Sequence, residues 1–106
     1  MAEVLTIEEL RTRIDVIDEQ LLRLLNVRVA CAVEVGRLKH EAALPIYQPE
    51  REAQVLSRVK QSATELSGPL TAEAVVRIFE RIIDEARRAE RSASDQRDGV
   101  NSGMGE

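Results

Sequence analysis

The sequence predicts an all-α protein built from three helices. Its apolar residues recur at alternating steps of three and four, as on one face of a helix, instead of at every second position. The 106 residues include 5 Gly and 3 Pro, and the prolines fall where the helical patterns are interrupted. With one Phe, one Tyr and no Trp, the core is expected to be aliphatic.

The first predicted helix, about residues 6–42, is the longest. Thr6 followed by Glu9 fits a capping box at its start, and Pro45 disfavours helical backbone shortly after its end. Arg28 interrupts its apolar seam, and a guanidinium on a buried helix face is costly unless it meets an anion. The seam consists of Leu10, Ile14, Ile17, Leu21, Leu24, Cys31, Val35 and Leu38.

The length of this helix predicts a second copy of the chain. About 35 helical residues extend roughly 50 Å, whereas a compact globule of about 100 residues has a radius of gyration near 13 Å. The two shorter helices that follow cannot cover a seam of that length. We therefore expect an intertwined homodimeric helical bundle.

Two shorter helices are predicted after the first, at about 49–64 and 71–91. Pro49 suits a first helical position, where its missing amide hydrogen is not needed, and Thr71 can cap the third helix. The residues after Arg91 are polar and rich in Ser and Gly, which predicts a disordered tail over 92–106. The predicted domain is therefore 1–91.

Composition excludes several classes of function. A net charge of −4 gives no global attraction for nucleic acid. No apolar run approaches the roughly 18 residues of a membrane span, and the start lacks a signal-peptide pattern, so a cytoplasmic protein is expected. Cys31 is the single cysteine and is expected to be a buried small hydrophobe. No metal-ligand spacing or phosphate-binding Gly loop is present, so neither a metal nor a cofactor is expected.

Helix geometry decides which charged residues can act together. Lys39 lies about 20° around the first helix from Arg28 and roughly 16 Å further along, so the two share a face. Arg11 points about 100° away and lies roughly 25 Å from Arg28 along the axis. An antiparallel partner chain, however, would bring its own Arg11 towards this site.

Arg51 and Glu52 fall in the first turn of the second helix, where free amide groups and side chains can bind a polar ligand. Glu90 lies on the apolar face of the third helix, where burial favours its protonated, hydrogen-bond-donating form. Taken singly, each residue has a structural alternative. Arg28 could pair with Glu52 or Glu90, or extend to the surface with its stem on Leu25. Glu52 could complement the helix dipole, and the others could be surface charges. Together, several cations within helices suit a small dicarboxylate.

The order of these residues resembles the all-helical chorismate mutases. Residues 10–25 read Leu-Arg-x-x-Ile-Asp-x-Ile-Asp-x-x-Leu-Leu-x-Leu-Leu, residues 33–39 read Val-Glu-Val-Gly-Arg-x-Lys, and residues 48–52 read Gln-Pro-Glu-Arg-Glu. The match continues through the third helix and covers about 6–91. The resemblance implies an intertwined dimer that rearranges chorismate to prephenate in phenylalanine and tyrosine biosynthesis, without a covalent intermediate.

The resemblance also implies roles for charged residues. Arg11 matches an arginine contributed across the dimer, and Arg28 matches one that binds a substrate carboxylate. Lys39 matches a lysine that contacts a carboxylate and the ether oxygen whose carbon bond breaks. Arg51 matches another polar-site arginine, and Glu52 matches the acid that holds the ring hydroxyl.

Four further positions complete the expected site. Val35 matches an apolar wall residue. Gln48 stands where the family often has Asp, and Ala86 stands where Ser is common, so a side-chain hydrogen bond to substrate is lost at Ala86. Glu90 stands where some members carry Gln, and as a protonated acid it could donate to the ether oxygen.

Three other functions compete with this one. An isochorismate pyruvate lyase would keep the fold and act on a similar dicarboxylate, and product analysis would distinguish it. A non-catalytic or regulatory module would associate with an enzyme of the aromatic pathway. Low activity of the chain alone, rising when that partner is added, would favour this alternative. A plain coiled-coil dimeriser would tolerate alanine at Arg11, Arg28 and Lys39.

Overall fold

The computed structural model describes residues 4–45 and 47–104, with side chains as far as Arg97. That part of the chain folds into three α-helices and no strands: α1 (Ile7–Glu41), α2 (Pro49–Glu65) and α3 (Ala72–Met104). The third helix packs against both of the others. The all-α prediction is therefore confirmed.

The predicted starts of α1 and α3 are confirmed at the level of single hydrogen bonds. The Glu9 amide donates to Thr6 Oγ1 at 3.1 Å, and the Thr6 amide donates to Glu9 Oε2 at 2.9 Å, which completes the capping box. At α3, the Ala74 amide donates to Thr71 Oγ1 at 3.0 Å. Both caps satisfy amide groups that have no partner within the helix.

The end of α1 is a tight reversal with an alanine at the position that usually takes glycine. The Leu44 amide donates to the Lys39 carbonyl at 2.8 Å, and the Ala43 amide donates to the His40 carbonyl at 3.2 Å. Ala43 has a φ of 56°, in the left-handed region, where an L-residue with a Cβ is strained. Pro45 then prevents the helix from continuing.

The predicted end of the third helix, at Arg91, is wrong. Helical backbone continues to Met104, through most of the segment expected to be a disordered tail. The residues directly after Arg91 are free of Pro and Gly, and several of them line a groove, so packing outweighs their low hydrophobicity. Residues 105 and 106 lie outside the described part, and the domain boundary at residue 91 stays a prediction.

The chain is elongated because the first half of α1 projects beyond the other helices. Its extents are 71 × 30 × 16 Å and its radius of gyration is 18.9 Å, well above the value near 13 Å for a compact domain of this length. Ala86, at 4% exposure, is the one hydrophobic residue that is fully buried within the described chain. Large apolar residues of the seam are exposed instead, Leu24 to 66% and Ile14 to 53%.

The accessible surface area of the chain shows how much surface is left without a packing partner. The chain exposes 8779 Å², whereas a compact monomer of this mass exposes about 5,900 Å². The excess, about 2,800 Å² from that scaling, is several times the roughly 800 Å² that one partner buries in a standard interface. Cys31 belongs to the seam of α1 and is exposed in the single chain. Its burial was expected in a seam that a second chain covers, and it stays a prediction. No described helix has an apolar stretch long enough to span a bilayer.

Candidate active site

A groove of about 690 Å³ lies between the second half of α1, the start of α2 and the second half of α3. Eight of the nine site residues expected from the sequence line it. They are Arg28, Val35, Lys39, Gln48, Arg51, Glu52, Ala86 and Glu90. The three helices thus bring together residues that lie up to about 60 positions apart in the sequence.

Arg28 and Lys39 lie along the α1 wall of the groove, as their shared helix face predicts. Both are partly buried. Among the described residues, the structure records no ion pair between Arg28 and either Glu52 or Glu90, so the alternative in which one of them neutralises Arg28 is wrong for this chain. The Arg28 guanidinium is therefore available to an anion in the groove.

Glu52 is paired with a residue that the sequence prediction missed. Arg87 Nε donates to Glu52 Oε1 at 2.7 Å, and Arg87 Nη2 forms an ion pair with the same oxygen. The Arg87 guanidinium also lies over the Tyr47 ring, 5.7 Å from its centroid. The hydrogen bond with Glu52 raises the pKa of Arg87 despite partial burial.

A sequence signal for Arg87 existed. It lies one helical turn after Ile83 and one turn before Glu90, on the apolar side of α3, and it is therefore a charge on a hydrophobic face, as Arg28 is.

Glu90 lies against α1 at a point where that helix has no side chain. A Cβ added to Gly36 would meet Glu90 Oε2 at 3.5 Å, an ordinary van der Waals contact, so the Glu90 carboxylate packs directly against α1 at Gly36. Burial raises the pKa of the Glu90 carboxyl above its ordinary value of 4.5, the direction predicted from the sequence. The charges of Lys39, Arg87 and Arg91 lower this pKa, and the charge of Glu52 adds to the increase.

Gln48 and Arg51 form the α2 end of the groove. The Gln48 carbonyl accepts from the Arg51 and Glu52 amides at 3.2 and 3.3 Å, which places these side chains in the first turn. The Gln48 side chain makes no capping hydrogen bond. Arg51 Nη1 donates to Gln54 Oε1 at 2.7 Å. Both side chains are polar groups at the edge of the cavity, where a ligand can compete for them.

Arg11 lies outside the groove. Its side chain is 71% exposed on the projecting half of α1 and makes an ion pair of 3.6 Å with Glu8. One chain alone therefore does not bring Arg11 to the other expected site residues. This agrees with the geometric expectation that only a second chain could supply it.

Positive charge predominates in the groove. Carboxyl groups come from Glu52, Glu90 and Asp95. Twice as many cationic side chains line it: Arg28, Lys39, Arg51, Arg87, Arg91 and Arg97. Three of these residues, Arg91, Asp95 and Arg97, belong to the end and extension of α3 and were not expected. A groove with this balance favours a small molecule that carries more than one negative charge.

Apolar side chains complete the walls of the groove. Val35, Val55, Ile83 and Ala86 line it, so a ligand with a hydrocarbon ring and charged ends fits both kinds of surface. Within the described residues, no group of three or more His, Cys, Asp or Glu side chains is arranged to hold a metal ion.

Comparison with known proteins identifies the family. Residues 10–91 match the family described as chorismate mutase type II. The chain belongs to this family. It is 42% identical over 78 residues to a bifunctional chorismate mutase/prephenate dehydratase from Aquifex aeolicus, covering 73% of this chain and 22% of that protein. A protein of the same name from Neisseria gonorrhoeae is 42% identical over 90 residues, covering 81% of this chain and 24% of that protein.

A solved structure supports membership of the chorismate mutase family at the level of the fold. The chorismate mutase (Form II) from Thermus thermophilus superposes with a TM-score of 0.73 at 33% identity, covering 80% of this chain and 93% of that one. The curated relatives named above are longer, and this chain spans about a quarter of their length.

Proposed function

We propose that this protein is a chorismate mutase, an isomerase that rearranges chorismate to prephenate. One observation carries the proposal: a single groove in a member of the chorismate mutase family collects the charged residues that the resemblance assigns to one chain, which are Arg28, Lys39, Arg51, Glu52 and Glu90. Chorismate has two carboxylates, a ring, an ether oxygen and a hydroxyl. The cations, apolar walls and acids of the groove match these groups.

The reaction breaks one carbon–oxygen bond and forms one carbon–carbon bond within the same molecule, so electrons and atoms balance without a nucleophile or a redox partner. The groove has two tasks: to hold the substrate folded, and to stabilise charge that separates in the transition state. Arg28 binds a carboxylate. Lys39 contacts the ether oxygen, and protonated Glu90 donates to the same oxygen as negative charge develops there.

We also propose that the active form is a homodimer in which Arg11 of one chain completes the groove of the other. The exposed seam of α1 and the excess total surface of about 2,800 Å² support it, because large apolar side chains such as Ile14 and Leu24 are left in contact with water unless a partner covers them. Arg11 lies on the projecting half of α1, which is the half that can reach a second chain.

The product would enter phenylalanine and tyrosine synthesis in the cytoplasm. The names of the relatives from Aquifex aeolicus and Neisseria gonorrhoeae join chorismate mutase with prephenate dehydratase in one protein. An enzyme of the same pathway is therefore the partner class that we propose for this chain.

The test is the conversion of chorismate by purified protein in the presence of a metal chelator. We expect chorismate to disappear and prephenate to accumulate in equal amounts, separated and quantified by chromatography. Isochorismate is assayed in parallel, because release of pyruvate and salicylate would assign the protein to the lyases instead. No consumption of either compound, with and without an added pathway enzyme, would refute catalysis.

A further inference from the structure

Arg87 connects three parts of the chain at the groove. Its guanidinium contacts Glu52 of α2 and lies over Tyr47 in the segment between α1 and α2, while Arg87 itself belongs to α3. The other ion pairs recorded for the described residues join positions three or four apart within one helix. The pair of Arg87 and Glu52 is the one that joins two helices.

The two carboxylate oxygens of Glu52 have different environments. Arg87 Nε and Nη2 both contact Oε1. No side chain in the described part of the chain donates a hydrogen bond to Oε2. Arg87 therefore holds one oxygen and leaves the other as an acceptor for a ligand in the groove.

The contact with Arg87 restricts rotation of the Glu52 carboxylate. The terminal torsion of a Glu side chain has a broad energy profile, so an unpaired carboxylate rotates easily. A guanidinium has a rigid, planar set of donors, and two donors on one oxygen fix both the position and the direction of the carboxylate. Both side chains are partly shielded, at 36% exposure for Arg87 and 26% for Glu52, so water competes only in part.

We propose that Arg87 is a positioning residue, which holds Glu52 so that its Oε2 accepts the hydrogen bond from the ring hydroxyl of the substrate. This inference rests on the proposed function and adds to it a residue of α3 that orients the substrate through Glu52. A small displacement of a positioning group is costly in an active site, because the reacting atoms then lose their alignment.

The experiment compares Arg87→Met with Arg87→Lys on two compounds, chorismate and its analogue without the ring hydroxyl. With chorismate, we expect Arg87→Met to lower kcat/KM about tenfold, and Arg87→Lys to recover part of the loss through a single contact. With the analogue, wild type and Arg87→Met should agree within about twofold, because the contact through which Arg87 acts is missing.

The matched control is Arg88→Met. Arg88 is the next residue of α3, is exposed, and pairs with Glu85 at 3.4 Å away from the groove. We expect its kinetics to equal those of wild type. Thermal denaturation of all variants verifies that each is folded. If Arg87→Met does not fold, Arg87→Lys replaces it in the comparison of the two compounds.

Two results would overturn the inference: equal losses of Arg87→Met on both compounds, which indicates a general structural role, or no loss on chorismate. Failure of the proposed function gives a different result, because the wild-type protein itself then does not convert chorismate. In that case calorimetric binding of the two compounds decides the inference. Equal effects of Arg87→Met on the binding of both would contradict it.

Discussion

At the scale of single residues, two arginines on apolar helix faces differ in whether a carboxylate of the chain neutralises them. Arg87 is neutralised by Glu52, whereas Arg28 has no recorded ion pair within the described chain and lines the groove. A partly buried cation that the fold does not neutralise costs free energy, and a bound anion recovers it. The difference between the two arginines is what makes Arg28 the candidate for carboxylate binding.

Arg28→Ala should therefore reduce activity without reducing stability. We expect kcat/KM for chorismate to fall at least a hundredfold, since loss of a two-point contact between charged groups costs about 3 kcal/mol or more. The free energy of unfolding should stay within about 0.5 kcal/mol of wild type, because no ion pair within the described chain is removed. Arg23→Ala, at an exposed position of α1 outside the groove, is the control. A large loss of stability would instead assign Arg28 a structural partner.

The protonation state of Glu90 is expected to make activity depend on pH. Its pKa is raised above 4.5 by burial, against the opposing charges of Lys39, Arg87 and Arg91 and with a contribution from Glu52. The protonated form is the donor, so activity should be highest at acidic pH and fall as pH rises through this raised pKa. Glu90→Gln should flatten the profile of kcat/KM, because an amide donates at every pH.

The control for the pH profile is Glu85→Gln, an acid of α3 that pairs with Arg81 and Arg88 away from the groove. This variant should keep the wild-type profile. An unchanged profile in Glu90→Gln would show that another group is responsible for the pH dependence.

At the scale of elements, the end of α1 carries a strained residue next to the site. Ala43 adopts a φ of 56° so that the Leu44 amide can reach the Lys39 carbonyl. This reversal ends the helix directly after the turn that carries Lys39, and it directs the chain towards α2. The position of Lys39 in the groove thus depends on a turn for which glycine is the usual residue.

Ala43→Gly should stabilise the protein. Glycine adopts positive φ without steric cost, so we expect the free energy of unfolding to rise by about 1 kcal/mol, less the entropy that glycine adds to the unfolded chain. Chemical denaturation at a fixed protein concentration measures it. Ala42→Gly is the matched control, because Ala42 has a φ of −88°, and there glycine should lower stability. Destabilisation by both substitutions would contradict the assigned turn.

At the scale of the whole molecule, one chain has a groove but hardly any core. Ala86 alone is fully buried among the hydrophobic residues described, and the seam of α1 is exposed from Leu10 to Leu24. Domains bury most of their apolar surface, so this chain is expected to reach that state only with a second copy. Dimerisation would then supply stability and Arg11 in one step.

Shared sites make a specific prediction for mixed dimers. Arg11→Ala and Arg28→Ala should each be inactive alone, because each damages both sites of a symmetric dimer. When the two variants are unfolded and refolded together, half of the dimers are mixed, and each mixed dimer has one intact site. Activity should recover to at most about a quarter of the wild-type value. No recovery, in a mixture shown to contain mixed dimers, would rule out a site shared between chains.

The local features of the fold were predictable because local interactions encode them. The Thr6 and Thr71 caps and the stop at Pro45 each depend on residues within one turn of each other. The apolar faces of α2 and α3 follow from helical periodicity. Where the prediction depended on composition alone, at the residues after Arg91, it was wrong, since packing along the groove is not a local property.

The sequence by itself determined the number of helices, where each one begins and the face that Arg28 and Lys39 share, because hydrogen bonds and periodicity along one helix decide these features. Only the tertiary structure decided which charges meet. Arg87 reaches Glu52 from a position 35 residues away, so Glu52 does not neutralise Arg28, and Glu90 of α3 packs against α1 at Gly36. Such pairs depend on how the helices pack against one another, and the spacing of residues within one helix does not predict that packing.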